Sequence, residues 1–181
     1  MIGLLTWPAY GTWLAGAARG WVDPGRVQED TTLPEPEEAL SALRRRSLKW
    51  PAVRLEIEHR RLILVDLARV ARLRRFMPLA AAAAADHVHL LLAVEEGRDM
   101  PRLVQLIKGA LSRALTVAAG DRPAISTAGG GLRYHKWWTR QYSCRLVEDE
   151  RILPAIRNRL LEHESQGAAV QEDWPPAISG A

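Results

Sequence analysis

The stretch His87-Val88-His89-Leu90-Leu91-Leu92-Ala93-Val94 constrains the fold more than any other. It alternates and then runs apolar, as a strand does when its middle is buried. In a strand His87 and His89 leave the same face while Val88 enters the other. The preceding run Ala80 to Ala85 has strong helix propensity. The apolar stretch Met77 to Ala85 is too short for a bilayer crossing, which needs about 20 residues. Asp86 and the two histidines follow it directly. With 181 residues and 48% hydrophobic content, the chain can fill one core but is short for two.

Residues 2–7 read as a first strand, and Pro8 to Val22, with repeated Gly and Trp, as an ordered loop. Asp23 to Glu38 holds six acids against one arginine, with Pro24, Pro34 and Pro36, and is assigned no structure. Residues 58–76 predict a helix, with Ile63, Leu67 and Val70 on one side and Arg61, Arg72 and Arg75 on another. Asp99-Met100-Pro101 predicts the start of a second helix that stops at Gly120. Its apolar side holds Leu103, Ile107, Ala110 and Ala114. Arg102, Gln105, Lys108, Ser112 and Arg113 form its polar side. Residues 121–132 read as a flexible loop, Cys144 to Val147 as a short strand, and Glu148 to Gly167 as a last helix. Pro154 then requires that this helix begin close to Arg151 or be distorted there. The expected organisation is one domain over 1–167, with an irregular insertion at about 23–50 and a tail over 168–181.

The net charge of +4 favours an anionic partner, and the basic residues cluster. Arg44 to Arg75 carries eleven Arg or Lys against Glu56, Glu58 and Asp66. Arg44, Arg45, Arg46 and Lys49, the arginines of 61–75, and Arg102, Lys108 and Arg113 are candidate phosphate contacts. Lys136 and Arg140 bracket two aromatic rings. Trp137 is the candidate for stacking on unpaired bases and Trp138 the candidate core residue. A solvated charged surface gives the same pattern at any one cluster. Cys144 is the sole cysteine, which excludes an internal disulfide and a thiolate cluster and suits a reducing, cytoplasmic setting. No cationic segment precedes the short apolar start, so no signal peptide is expected.

Two neutral imidazoles side by side can grip a divalent cation if a further protein oxygen or nitrogen completes the site. Two polar residues at a sheet edge give the same local pattern. The surrounding segments favour the first reading. Thr6-Trp7-Pro8-Ala9-Tyr10-Gly11-Thr12-Trp13-Leu14 with Gly16 and Arg19-Gly20-Trp21-Val22, then Asp86 to Leu92, then Trp138-Thr139-Arg140 resemble the REP-associated tyrosine transposases. These belong, with insertion-sequence relatives, to the single-tyrosine HUH class. The resemblance implies an α+β fold, a ferredoxin-like antiparallel sheet with helices packed on one face, and usually a homodimer. It also implies a single-stranded or hairpin DNA partner and a Mg²⁺ or Mn²⁺ cofactor. A tyrosine on the last helix attacks a phosphodiester polarised by the cation, leaving a 5′-phosphotyrosine.

The sequence departs from this family at the attacking position. The resemblance sets the tyrosine at Asn158, and the helix holds no tyrosine. It sets the third metal ligand at Glu162, one turn on, beside His87 and His89, with Asn158 pointing into the same cavity. His163, about 100° further around the helix, is the less favoured ligand. Tyr142 is the alternative nucleophile; Tyr10 and Tyr134 are poorer ones, and a cation-activated water is a further alternative. The sequence therefore supports a transposase-like protein that binds DNA at a metal site, with cleavage impaired or lost. The alternatives are an active metal-dependent endonuclease or transposase using Tyr142, and a non-catalytic DNA- or RNA-binding adaptor.

Overall fold

The computed structural model describes residues 1–14, 16, 37–120, 124–126, 132–134 and 136–174, with 124–126 and 132–134 described by backbone alone. The Arg19 to Val22 motif, the acid-rich segment 23–36 and the Tyr134 side chain lie outside the described residues. In chain order the elements are β1 (Ile2–Pro8), α1 (Glu38–Arg46), α2 (Ile57–Arg74), β2 (Met77–Ala83), β3 (His87–Ala93) and α3 (Met100–Ala118). Then follow β4 (Ala124–Ser126), β5 (Leu132–Tyr134), β6 (Ser143–Val147), α4 (Leu153–Leu161) and β7 (Ala169–Gln171).

Five strands form an antiparallel sheet in the order β6-β1-β3-β2-β7. β1, α2, β2, β3, α3 and β6 trace a ferredoxin-like path. The apolar stripes expected from helical spacing are buried. Ile63, Leu67 and Val70 of α2 and Leu103, Ile107 and Leu111 of α3 pack with Leu5, Trp7, Val88, Leu90 and Leu92 in one cluster. α3 begins as its sequence dictates, with the Asp99 carboxylate accepting the Arg102 backbone N–H at 2.9 Å. Among the described residues, no helix is long and apolar enough to cross a membrane.

The opposite face of the sheet is also covered. Leu160, with Leu153 and Ile156, packs with Ala80, Leu91 and Val147. Alternation along β3 sends Leu91 to one side and Leu90 and Leu92 to the other, so α4 lies opposite α2 and α3. Helices thus pack on both faces, not one. Ala80 to Ala83, despite their helix propensity, form a strand between these layers and are at most 1% exposed. Tertiary burial overrides a weak local preference, and the small side chains let both helical layers come close.

Three further expectations are revised. α1 lies within the insertion that was assigned no regular structure. The segment 121–132, expected to be a flexible loop, contains β4, which pairs with β5, a strand starting at the segment's last residue. Beyond Gly167, where a tail was expected, β7 pairs with β2 and Trp174 packs on the core. Pairing with β7 covers what would otherwise be an open edge of β2. Pro154 is accommodated in the first turn of α4.

The tight seating of β2 is testable by denaturant unfolding. Ala81→Leu, which overfills the space beneath α2, is expected to lower stability by about 1–3 kcal/mol. Ala118→Leu, at the exposed end of α3, is expected to stay within about 0.5 kcal/mol of wild type. Equal effects at both positions would contradict this packing.

Candidate metal centre

His87 and His89 leave β3 on the α4 side, because they share the parity of Leu91. Their ring centroids are 4.5 Å apart. In the β1–β3 register Thr6 stands opposite His89 and Pro8 opposite His87. The Thr6 hydroxyl lies 2.7 Å from His89 Nδ1. The Asp86 carboxylate lies 2.6 Å from His87 Nδ1. A carboxylate only accepts, so Nδ1 of His87 carries a proton, which leaves Nε2 as the ring's candidate ligand atom. Both rings are therefore held at Nδ1 and offer Nε2 outward.

The N-terminal loop braces this arrangement. Ala9 N donates to the Asp86 carbonyl at 2.8 Å, and the Thr12 hydroxyl donates to the same carbonyl at 2.9 Å. The Trp13 ring lies 5.2 Å from that of His87. Part of the Thr-Trp-Pro-Ala-Tyr-Gly-Thr-Trp segment thus positions the residue that orients the first imidazole.

The third member comes from the turn after α4. His163 stacks on His89 at 4.9 Å between centroids and 11° between planes. Its ring is 5.7 Å from that of His87. Each of the three histidines has a ligand nitrogen within 4.8 Å of the others. The chain is anchored there at Gly167, whose φ of 82° suits glycine. Arg60 donates to the Gly167 carbonyl, and Ala168 N donates to the His163 carbonyl at 3.0 Å. Glu162, the ligand expected with His87 and His89, is exposed and outside this group, and Asn158 is exposed as well. The reason is helical phase. Leu153, Ile156 and Leu160 define the sheet-facing stripe, and position 163 continues it at i+3 from Leu160.

Burial, together with the neighbouring His87 and His163 rings, lowers the His89 pKa to about 3. Arg159 also acts on His89 in the same direction. His89 is therefore neutral at physiological pH, the form that binds a metal. Three imidazole nitrogens suit first-row transition ions, with Mn²⁺ the most weakly held of them, better than Mg²⁺, which prefers oxygen ligands.

The expected phosphate contacts are dispersed. Arg44, Arg45, Arg46 and Lys49 are exposed at and after the end of α1, and Arg61, Arg72 and Arg75 are exposed on and just after α2. Arg102 and Arg113 are exposed on α3, as are Lys136 and Arg140 beyond it. α2 and α3 lie across the sheet from the imidazoles. Lys108 is not a free phosphate donor: it is 9% exposed, and its ammonium donates to the carbonyls of Thr139, Arg140 and Gln141 at 2.7, 3.2 and 3.2 Å. Burial lowers its pKa to about 8. Trp137 is no stacking platform either. It is 6% exposed, as is Trp138, and its indole N–H donates to Thr116 at 3.0 Å. Tyr142 packs on the α2 and α3 side, and burial, first among its causes, raises its pKa. Arg159 and, by its register opposite Leu4, Arg145 are basic residues on the imidazole side that charge counting did not single out.

No protein-family model matches the chain, and no curated protein matches it by sequence. Among solved structures it is similar to a REP-associated tyrosine transposase bound to a REP hairpin, at a TM-score of 0.50 and 10% identity. That alignment covers 92% of this chain and 68% of the other. A protein described as a transposase of Deinococcus radiodurans R1 aligns at a TM-score of 0.44 and 16% identity, over 90% and 89% of the two chains. The first likeness shows a shared α+β fold.

Isothermal titration with Mn²⁺ tests the ligand set. His163→Ala is expected to weaken binding at least tenfold, in line with loss of one ligand or its support, and Glu162→Ala to leave it near wild type. The reverse ranking would contradict the geometry. A second test uses metal-free protein. Because the folded pKa of His89 is about 3 against an ordinary 6.5, the unfolded chain binds the proton first. The stability that His89 contributes is full above pH 6.5 and is lost as pH falls toward 3. Denaturation curves of His89→Asn are expected to depend less on pH across that window than those of wild type. Parallel pH profiles would contradict it.

Proposed function

We propose that this protein is a transposase-like, metal-dependent binder of single-stranded or hairpin DNA that has lost family-type strand cleavage. The observation that carries this is the meeting of three imidazoles from β3 and the turn after α4 at one end of the sheet. His87, His89 and His163 would hold one divalent cation, which when bound withdraws charge from phosphate oxygens. Further support comes from the fold shared with a transposase bound to a hairpin and from the exposed basic residues. A homodimer and a cytoplasmic setting accompany the reading.

The loss of cleavage follows from the position of the attacker. In the family pattern the tyrosine stands one turn before the third ligand. With His163 as that ligand, the place belongs to Arg159 rather than to Asn158. A guanidinium remains protonated and offers no nucleophile, but it is a strong partner for a phosphate. Tyr142 is a poor replacement, since it lies on the other face of the sheet with a raised pKa.

The test incubates wild-type protein with a hairpin oligonucleotide and Mn²⁺, then separates products under denaturing conditions. Binding without a covalent 5′ adduct is expected. In salt titrations of single-strand binding, Arg159→Gln is expected to flatten the slope by about 0.7, the value of one phosphate contact. An adduct that disappears in Tyr142→Phe would overturn the loss of cleavage and establish a relocated nucleophile. Oligonucleotide binding indifferent to Mn²⁺ and to His87→Ala would favour the adaptor reading.

A further inference from the structure

A groove of about 670 Å³ runs between α3 and the segment 136–142. Its lining, among the described residues, includes Gln105, Gly109, Ser112, Lys136, Arg140 and Tyr142. Two features mark it as more than a packing gap. The first is charge: Lys136 and Arg140 are exposed, while the buried Lys108 ammonium fixes the backbone of residues 139–141 from below. The backbone of this wall is thus held in place, and the side chains of Lys136 and Arg140 are exposed.

The second feature is Gly109. A glycine inside a helix costs about 1 kcal/mol relative to alanine. Its backbone is not in the left-handed region. Among the described residues the nearest atom to an added Cβ is the end of the Arg113 side chain, at 3.9 Å. Among the described residues, neither conformation nor internal packing requires a glycine there. What its missing side chain provides is an open stretch of helix wall along the groove, where a ligand's backbone can approach closely.

The groove opens on the α3 face of the sheet, opposite the imidazoles, but its 138–142 wall reaches round to the sheet end that bears them. Trp138 bridges to Ala9, Thr139 N donates to the Pro8 carbonyl, and Pro8 stands opposite His87. Ser143 stands opposite Thr6, which holds His89. Segment 138–143 therefore crosses the end of the sheet that bears the imidazoles. From β3 across β1 to this segment is about 10 Å at the usual strand spacing.

We infer that this groove is a second subsite, which takes the sugar-phosphate backbone of the single strand flanking the phosphate at the metal centre. Lys136 and Arg140 contact its phosphates, and Gly109 marks the point of closest approach. The inference rests on the DNA-binding reading above and adds a location and a polarity of contact that the metal centre does not supply.

Fluorescence anisotropy with a labelled single-stranded oligonucleotide tests it, using the full chain with Mn²⁺. Lys136→Gln with Arg140→Gln is expected to weaken binding roughly tenfold and to flatten the salt slope by about 1.4, which corresponds to two single-strand phosphate contacts. Gly109→Leu gives opposed signs: improved helix propensity holds or raises the melting temperature, while the filled groove weakens binding about tenfold. A merely structural glycine would not produce that split. Gly109→Leu and the double variant binding like wild type, while His163→Ala impairs binding, would overturn the groove and leave the metal-centre reading intact. Wild-type protein that fails to bind the oligonucleotide would overturn both.

Discussion

The register of β1 against β3 is the constraint on which the rest depends. It places Leu5, Trp7, Val88, Leu90 and Leu92, all fully buried, against α2 and α3, and sends Thr6, His87 and His89 to the other side. A slip of one residue would exchange the faces. The imidazoles would enter a dry apolar layer, and Trp7 would leave it. Burial of apolar surface, worth about 25 cal/mol per Å², fixes this register, so the spacing of the two imidazoles of β3 is set by core packing. Trp7 extends the same logic outward. Its ring meets Trp138 edge-on at 6.2 Å, and the Trp138 indole N–H donates to the Lys108 carbonyl at 3.2 Å.

The two faces of the sheet divide the work. The α2 and α3 side holds most of the buried apolar side chains. The α4 side is a thinner layer, with Leu160 and the partly buried Leu153 and Ile156 as its apolar contacts. The third imidazole rides on that thinner layer. A cation shared between β3 and the turn after α4 would add its binding free energy to the docking of α4. Arg60 and Gly167 tie the same turn to α2 around the sheet edge, which limits how far His163 can drift in the absence of a cation.

Much of this was legible in the chain. The alternation at 87–94 gave the central strand and the shared direction of His87 and His89. The Asp99 cap, Pro101 and Gly120 marked α3, and the stripe Ile63, Leu67 and Val70 marked the buried side of α2. Ala80 to Ala83 were harder, because their strand state comes from two helical layers closing on them rather than from local preference. The family resemblance points to Glu162, one turn beyond Asn158. The stripe Leu153, Ile156, Leu160 carried the information that position 163 faces the sheet. Lys108 and Trp137 looked like surface residues because polar or amphipathic side chains at those spacings usually are. Among the described residues, the carbonyls of 139–141 and the hydroxyl of Thr116, distant in sequence or on another element, accept from them inside.

The central claim is that one cation sits among His87, His89 and His163. Anomalous diffraction from crystals of the protein soaked with Mn²⁺ tests it most directly. The account predicts a single strong peak within bonding distance of all three imidazoles, with Glu162 turned to solvent. A peak held by Glu162 with the β3 pair, or Mn²⁺ bound anywhere that leaves His163 out, would contradict it.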